Sequence, residues 1–193
     1  MKNFRPALLI FTAALFLATT LLFAAAPIAV PKSKTRISPH DATSTNIDGN
    51  RVSIFYGRPY SKDPKSGETR KIWGGLVPFG AVWRTGADEA TTLITQKQIT
   101  LGGTAVAAGA YTLFTLPNED GSAELIISKQ MGQWGLQYDE NQDLARVALT
   151  ADGLTDNVDQ FTMIVTKTDD EKVGAIKMLW EKKQYSVTYS VTK

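Results

Sequence analysis

A series of short runs rich in β-branched and aromatic residues constrains the fold more than any other feature of this sequence. The runs are RVSIFYG (51–57), TTLITQ (91–96), AYTLFTLP (110–117), AELIISK (123–129), LARVALT (144–150), QFTMIVTK (160–167), VGAIKMLWE (173–181) and QYSVTYSV (184–191). The turn-forming pairs between them are Gly102-Gly103, Pro117-Asn118, Asp120-Gly121, Asp152-Gly153 and Asp169-Asp170. Short strands at fairly even spacing, with turn residues between them, are typical of a β-sandwich or β-barrel.

The last run shows the clearest strand period. Tyr185, Val187, Tyr189 and Val191 alternate with serine and threonine, which indicates one buried and one wet face. After the first thirty residues we find no sustained helical period, and parallel strands would need crossover helices. We therefore predict an all-β fold: a single-domain antiparallel β-sandwich, jelly-roll-like, preceded by an N-terminal apolar helix.

The first thirty residues, MKNFRPALLIFTAALFLATTLLFAAAPIAV, differ in composition from the rest of the chain. Lys2 and Arg5 precede an uncharged apolar run, which is the pattern of an export signal. Residues 1–26 are thus either a cleaved signal peptide or an N-terminal membrane anchor, since residues 7–26 are long enough to span the inner membrane. Both alternatives predict an exported protein of the periplasm or cell envelope.

Residues 27–50, PIAVPKSKTRISPHDATSTNIDGN, form a polar segment rich in Pro, Ser and Thr. They show no sustained apolar period, so we interpret them as a tether that leads into the folded part. Within this segment the linker covers residues 27–37. The domain is predicted to cover residues 38–193.

Composition excludes several classes of function. The chain has no cysteine, so disulfides, thiol nucleophiles and cysteine-ligated zinc are excluded. Without Lys2 and Arg5, basic and acidic residues balance at 19 each, which leaves no basic footprint for nucleic acid. His40 is the only histidine, and there is no GxSxG elbow and no phosphate-binding glycine loop. We predict no metal, no cofactor and no nucleic-acid partner.

The segment WGGLVPFGAVWRTGADEATT (73–92) is the most unusual in the chain, because it combines tryptophans, glycines, an arginine and an acidic pair. One interpretation is a compact loop that closes an end of the β-domain, with Trp73 and Trp83 packed as a plug. The other is a ligand site, in which Arg84 lies beside Arg58 and two guanidiniums near aromatic faces hold a carboxylate, phosphate or sugar. The candidate ligand-binding residues are Tyr56, Arg58, Trp73, Trp83, Arg84 and Glu89.

The acidic pair Asp88-Glu89 allows two further interpretations. Adjacent residues of an extended segment point to opposite faces, so the simpler one is an ion pair of either carboxylate with Arg84 or Arg58. The alternative is a hydrolase for a glycan or another envelope substrate, which would combine one of the two with a distant carboxylate. No catalytic residue is assigned. The remaining aromatic candidates, for a sugar platform or for the core, are Trp134, Tyr138, Trp180 and Tyr185.

Several motifs, in this order, carry a family resemblance. They are SPH (38–40), FYGRP (55–59), RKIWGGLVPFGAVWRTGADEATTL (70–93), AGAYTLFTLP (108–117) and MLWEKKQYSV (178–187). Over about residues 38 to 191 the chain resembles the bacterial family known as domain of unknown function 2911. The resemblance implies an exported β-protein, mostly of Gram-negative bacteria, and supplies no established activity or catalytic residues.

Two departures from the family pattern are visible. Ala107 and Ala110 replace a proline and a threonine, and SKDPKSGETRK is a longer polar insertion before the IWG motif. Because no catalytic motif stands out, our leading expectation is a non-catalytic ligand-binding or envelope-associated module, with a small molecule or glycan as the possible ligand.

Overall fold

The computed structural model describes residues 36–192. The predicted leader, and all of the predicted linker except residues 36 and 37, lie outside the described residues. Within the described part, no helix is long and apolar enough to cross a membrane. One turn of 3₁₀ helix, Glu140–Gln142, is the only helical element among the described residues.

The described residues form one antiparallel sheet of nine strands, in the spatial order β1-β2-β3-β6-β7-β8-β9-β4-β5. The strands are β1 (His40–Ile47), β2 (Asn50–Gly57), β3 (Thr91–Thr95), β4 (Ile99–Leu101), β5 (Thr104–Val106), β6 (Gly109–Pro117), β7 (Ala123–Ser128), β8 (Asp143–Lys167) and β9 (Val173–Val191). The prediction of an all-β, antiparallel fold is confirmed.

Strand β8 joins the two parts of the sheet, β1-β2-β3-β6-β7 and β9-β4-β5. Its residues 143–149 pair with β7, and its residues 150–167 pair with β9. The runs predicted at 144–150 and 160–167 are therefore two parts of one strand. The turn predicted at Asp152-Gly153 is wrong, because both residues pair across to β9 inside the ladder.

Strand β9 also merges two predicted runs, and a bulge explains why the sequence divides them. Met178 and Trp180 are buried at even positions, whereas the buried residues from Tyr185 onward are at odd positions. Between them Glu181 has a φ of 53°, and the β8–β9 register shifts beside its partner Val158. An extra residue in one strand exchanges the two faces, so the alternation changes phase without ending the strand.

The polar segment 40–50 is not a tether. It forms β1, which pairs along its whole length with β2. The two strands meet at Asp48-Gly49, whose φ angles of 49° and 65° suit the two-residue hairpin turn that Asp-Gly favours. Most β1 side chains are exposed, as expected at a sheet edge, so this strand lacks an apolar alternation.

The second half of strand β8 also contacts β1 and β2, at one end of the sheet. The Tyr56 hydroxyl donates to Met163 O at 3.3 Å and accepts from Met163 N at 3.0 Å. The backbone N–H of Val165 donates to the Thr43 hydroxyl at 3.1 Å. These bonds hold β1 and β2 against β8, and the buried apolar side chains between them form one core cluster.

Candidate functional site

The segment 73–92 is packed against the domain and forms a short bridge to strand β6. Trp83 N donates to Thr115 O and Thr115 N donates to Trp83 O, both at 2.8 Å, so Trp83 pairs with β6 as a strand residue would. Gly74 and Gly80 turn the chain with φ of 73° and 68°, a region that glycine adopts without steric cost. The interpretation of a compact closing loop agrees with this geometry.

The two loop tryptophans belong to an aromatic cluster that also contains Phe161, Trp180 and Tyr185. Trp83 stacks on Trp180 with ring centroids 5.9 Å apart and meets the edge of Phe161 at 5.1 Å. Trp73 contacts Tyr185 at 5.5 Å in a T-shaped pair. Such pairs contribute about 0.5–1.5 kcal/mol each beyond the burial of their area. The aromatic cluster therefore fixes the loop to strands β8 and β9.

Two non-glycine residues of the segment adopt positive φ, Thr85 at 53° and Asp88 at 65°. This conformation is a genuine outlier for a β-branched residue. Buried hydrogen bonds hold it in place: the Thr85 and Thr115 hydroxyls are 2.7 Å apart, and the Thr91 hydroxyl donates to Thr85 O at 2.7 Å. Strain of this kind is stored where the chain must present a particular side chain, and Arg84 is the adjacent residue.

A second loop, residues 133–138, is hydrogen-bonded to the segment 73–92. Gly135 N donates to Asp88 O at 3.0 Å, and Ala90 N donates to Gln133 O at 3.3 Å. A Cβ atom at position 135 would lie 2.6 Å from Arg84 Cδ and 2.8 Å from Asp88 O. Position 135 therefore needs glycine, because the Arg84 side chain crosses it closely.

The two loops frame a cavity of about 430 Å³, which we call the loop cavity. Its apolar walls include Leu76, Trp83, Phe114, Leu136 and Trp180. Its charged lining consists of Arg70, Arg84 and Asp88. Binding sites for small molecules have this size and this mixture of apolar wall and few charged groups.

Arg84 is the least compensated cation of the loop cavity. Its Nε donates to Gly86 O at 3.1 Å, and within residues 36–192 its terminal amino groups have neither a hydrogen-bond acceptor nor a carboxylate within salt-bridge distance. Burial lowers the pKa of Arg84, an effect that the charge of Asp88 partly opposes. The Arg84 side chain is thus partly buried, but its terminal amino groups are not among the fully buried unpaired atoms of the described residues, so water or a ligand in the cavity can reach them.

Other donors beside the loop cavity are also unmatched. Arg70 donates through Nη2 to Tyr60 O, but its buried Nε has no partner among the described residues. The buried indole Nε1 of Trp180 has none either. Tyr138 differs, because its hydroxyl donates to Asp143 Oδ2 at 2.6 Å and accepts from Arg146 at 2.9 Å. Burial and this bond raise the pKa of Tyr138 to about 12, so the phenol stays protonated.

The predicted ion pair of Arg84 or Arg58 with Asp88 or Glu89 is not formed among the described residues. Arg58 instead donates to Asp41 Oδ2 at 3.0 Å, to Phe161 O at 3.1 Å and to the Thr162 hydroxyl at 2.9 Å. These bonds tie the end of β2 to the start of β1 and the middle of β8. Arg58 is thereby committed to holding the strands together.

Glu89 pairs with Arg36, whose two terminal amino groups donate to the two carboxylate oxygens. His40 Nε2 lies 3.2 Å from the same carboxylate. Asp88 is at the edge of this group, 3.9 Å from Arg36 and 3.7 Å from His40, yet its buried Oδ2 accepts no hydrogen bond in the described part of the chain. Glu89 thus fastens the start of the domain to the loop.

This contact predicts a specific response to acid. The hydrogen bond from Arg36 is the main cause that lowers the pKa of Glu89 from 4.5 to about 2. A lowered folded-state pKa gives a stabilisation that is complete above pH 4.5 and is lost as the pH falls toward 2. We expect the melting-temperature difference between wild type and Glu89→Gln to be small at pH 7, because both side chains are exposed, and to vanish near pH 2.

The matched control for that measurement is Glu119→Gln, which removes an exposed turn carboxylate with no ion pair among the described residues. Its melting temperature should follow that of the wild type at every pH. A Glu89→Gln difference that stays constant between pH 5 and pH 2 would contradict the Arg36 contact.

The six candidate residues are divided among separate places. Trp83 and Arg84 line the loop cavity. Tyr56 and Glu89 line a smaller cavity of about 180 Å³ beside Arg36. Trp73 is part of the aromatic cluster, and Arg58 is taken up by the hydrogen bonds between strands.

Of the second aromatic set, Tyr138 and Trp180 reach the loop cavity, whereas Trp134 is 45% exposed and Tyr185 is core. Arg70 and Phe114 line the cavity as well, and sequence reasoning missed both. Arg70 lies in the polar insertion, and Phe114 lies in a run in which every residue suits a strand. Both reach the cavity only because distant parts of the chain meet there in the folded domain.

The fold and this site define a class: an antiparallel β-sheet domain with a ligand-sized cavity framed by a tryptophan- and arginine-bearing loop. The family model described as Protein of unknown function (DUF2911) matches residues 38–189. The chain belongs to this family, as its motifs suggested. No curated protein and no solved structure matches the chain.

Proposed function

We propose that this protein is an exported, non-catalytic ligand-binding protein of the cell envelope, and that its ligand occupies the loop cavity. The observation that carries the proposal is Arg84, a half-buried guanidinium that lines the cavity with no carboxylate partner among the described residues. Proteins neutralise a desolvated charge with a partner. A bound ligand would supply that partner.

The surroundings of Arg84 support a built site. The strained backbone at Thr85 and the close contact with Gly135 restrict the path of its side chain. The aromatic cluster holds the same loop through Trp83. A site whose groups are fixed before binding loses little entropy when the ligand arrives.

Binding without catalysis fits the acidic groups better than hydrolysis does. Among the described residues Asp88 is the only carboxylate that lines the loop cavity, whereas glycoside hydrolysis uses two carboxylates flanking the scissile bond. The Tyr138 hydroxyl is bonded to Asp143 and Arg146 and remains protonated. The site therefore holds two guanidiniums, a single carboxylate and an aromatic wall, which does not supply the pair of carboxylates that this chemistry uses.

Export and the layered form of the domain are parts of the same proposal. The apolar leader after Lys2 and Arg5 supports export, as a cleaved signal or as an anchor. The bonds from Tyr56 and Thr43 to β8 support a sheet that folds over itself as a sandwich, with the loop cavity at one end. The ligand would then be met outside the cytoplasm.

A binding screen with Arg84→Met tests this function. Metabolites and glycans are added to the purified protein, and the rise in melting temperature reports binding. We expect the variant to lose binding while its ligand-free melting temperature changes little. The substitution loses the bond to Gly86 O, about 1 kcal/mol, but also removes a partly desolvated charge.

Arg51→Met is the matched control, because Arg51 is an exposed residue of β2 outside the loop cavity. It should retain both stability and binding. Two results would contradict the proposal: no ligand in a broad panel stabilises the wild type, or Arg84→Met binds every ligand as the wild type does.

A further inference from the structure

We infer that the ligand of the loop cavity is a small amphipathic mono-anion, a single carboxylate on an aromatic or short acyl body. The inference rests on the proposed function and specifies its ligand. Three properties of the loop cavity lead to it: an accessible guanidinium whose terminal amino groups are unpaired among the described residues, one internal carboxylate, and apolar walls that continue to the surface.

The donors determine the sign of the ligand. Arg84 offers terminal amino groups that have no partner among the described residues. Arg70 Nε and Trp180 Nε1 also lack partners there, but both are fully buried, so Arg84 is the donor that a ligand can reach. The unmatched acceptor among the charged lining is Asp88 Oδ2. Carboxylate oxygens accept two parallel bonds from a guanidinium, whereas a neutral sugar would leave the charge of Arg84 uncompensated.

The net charge of the cavity lining determines how many negative charges the ligand carries. Two guanidiniums and one carboxylate line the loop cavity, so its lining carries one net positive charge. A mono-anion neutralises it. A dianion such as a phosphomonoester would place its second charge near Asp88, where like charges in a partly desolvated site repel.

The walls determine the rest of the ligand. Trp83, Phe114 and Trp180 form an apolar surface that a flat ring or a short chain would cover. At the rim Leu76 is 43% and Leu136 is 73% exposed, and both also line the cavity. A ligand with an apolar body would shield these two side chains from water.

The experiment uses titration calorimetry of the purified protein with matched probes. 3-Phenylpropionate and octanoate are the mono-anions, 3-phenylpropanamide is the neutral isostere, and phenyl phosphate is the dianion. We expect both mono-anions to bind, and the amide to bind about 10- to 100-fold more weakly, the usual value of hydrogen bonds to a charged group. Arg84→Met should reduce phenylpropionate binding to the level of the amide.

Asp88→Asn tests the charge count separately. Asparagine tolerates the positive φ of position 88, so the loop should keep its shape. We expect this variant to raise the affinity for phenyl phosphate at least about tenfold relative to phenylpropionate. A wild type that already prefers phenyl phosphate, or an Asp88→Asn variant with unchanged preference, would overturn the assignment to mono-anions.

The failures of the inference and of the proposed function are distinguishable. If the amide binds as tightly as phenylpropionate, or if only neutral metabolites of the broad panel bind, the inference is overturned while a binding function stands. If neither mono-anion binds, the inference is likewise overturned. A panel with no ligand of any charge overturns the proposed function itself.

Discussion

Trp83→Ala is expected to lower the free energy of unfolding by about 3–5 kcal/mol, the usual cost of truncating a buried large aromatic side chain. Trp83 is 8% exposed and contacts Phe161, Trp180 and Trp73 in the aromatic cluster. Its removal leaves a void that these rigid rings cannot fill without leaving their own positions. Thermal denaturation should show a melting temperature lower by roughly 10 °C.

Trp134→Ala is the matched control, because the same side chain is deleted where it is 45% exposed. Its melting temperature should fall by much less than that of Trp83→Ala. If the two variants lose the same stability, the segment 73–92 does not complete the core. The proposal that the site around Arg84 is formed before the ligand binds would then lose its support.

Gly57→Ala is expected to destabilise the protein by about 3 kcal/mol or more, because the new methyl group would overlap backbone. A Cβ atom at position 57 would lie 2.1 Å from Ala87 O and 2.9 Å from Ala87 C. Neither atom can rotate away as a side chain would. Either the end of β2 or the loop before β3 must move, and urea denaturation should report a lower midpoint.

Gly153→Ala provides the comparison, since a Cβ atom there meets nothing within 4 Å and the position lies in the exposed part of β8. Its stability should stay within about 0.5 kcal/mol of the wild type. Equal effects of the two glycine substitutions would mean that β2 and the loop do not approach each other this closely.

The alternation of apolar and polar residues was sufficient to predict most strands. It was insufficient where the alternation changes phase inside one strand. The predicted runs 173–181 and 184–191 have opposite phase, and no local rule distinguishes a turn from the bulge at Glu181 that joins them. Strand β1 is polar because it lies at an edge. Its signal was the Asp48-Gly49 turn before an apolar run, which a hairpin rule would have found.

The candidate site was likewise predictable only in part. Residues within one segment, such as Trp83 and Arg84, can be singled out from composition alone. Their partners come from distant parts of the chain: Arg70 from the insertion, Tyr138 from the second loop and Trp180 from β9. The ion-pair prediction failed for this reason, because Arg36 lies 53 residues from Glu89 and nothing local indicates that they meet.

The continuity of β8 has a consequence for how the molecule can be divided. One strand satisfies the backbone of β7 with its first residues and that of β9 with the remainder. The two ladders do not overlap along β8, so a cut between residues 149 and 150 would break no ladder pair. A cut within either part would remove strand partners from β7 or β9 and leave an open row of unpaired amide and carbonyl groups, which is a template for aggregation. What opposes a division at that boundary is the interior, because buried side chains of both ladders belong to one core cluster, and separating the ladders would expose it to water.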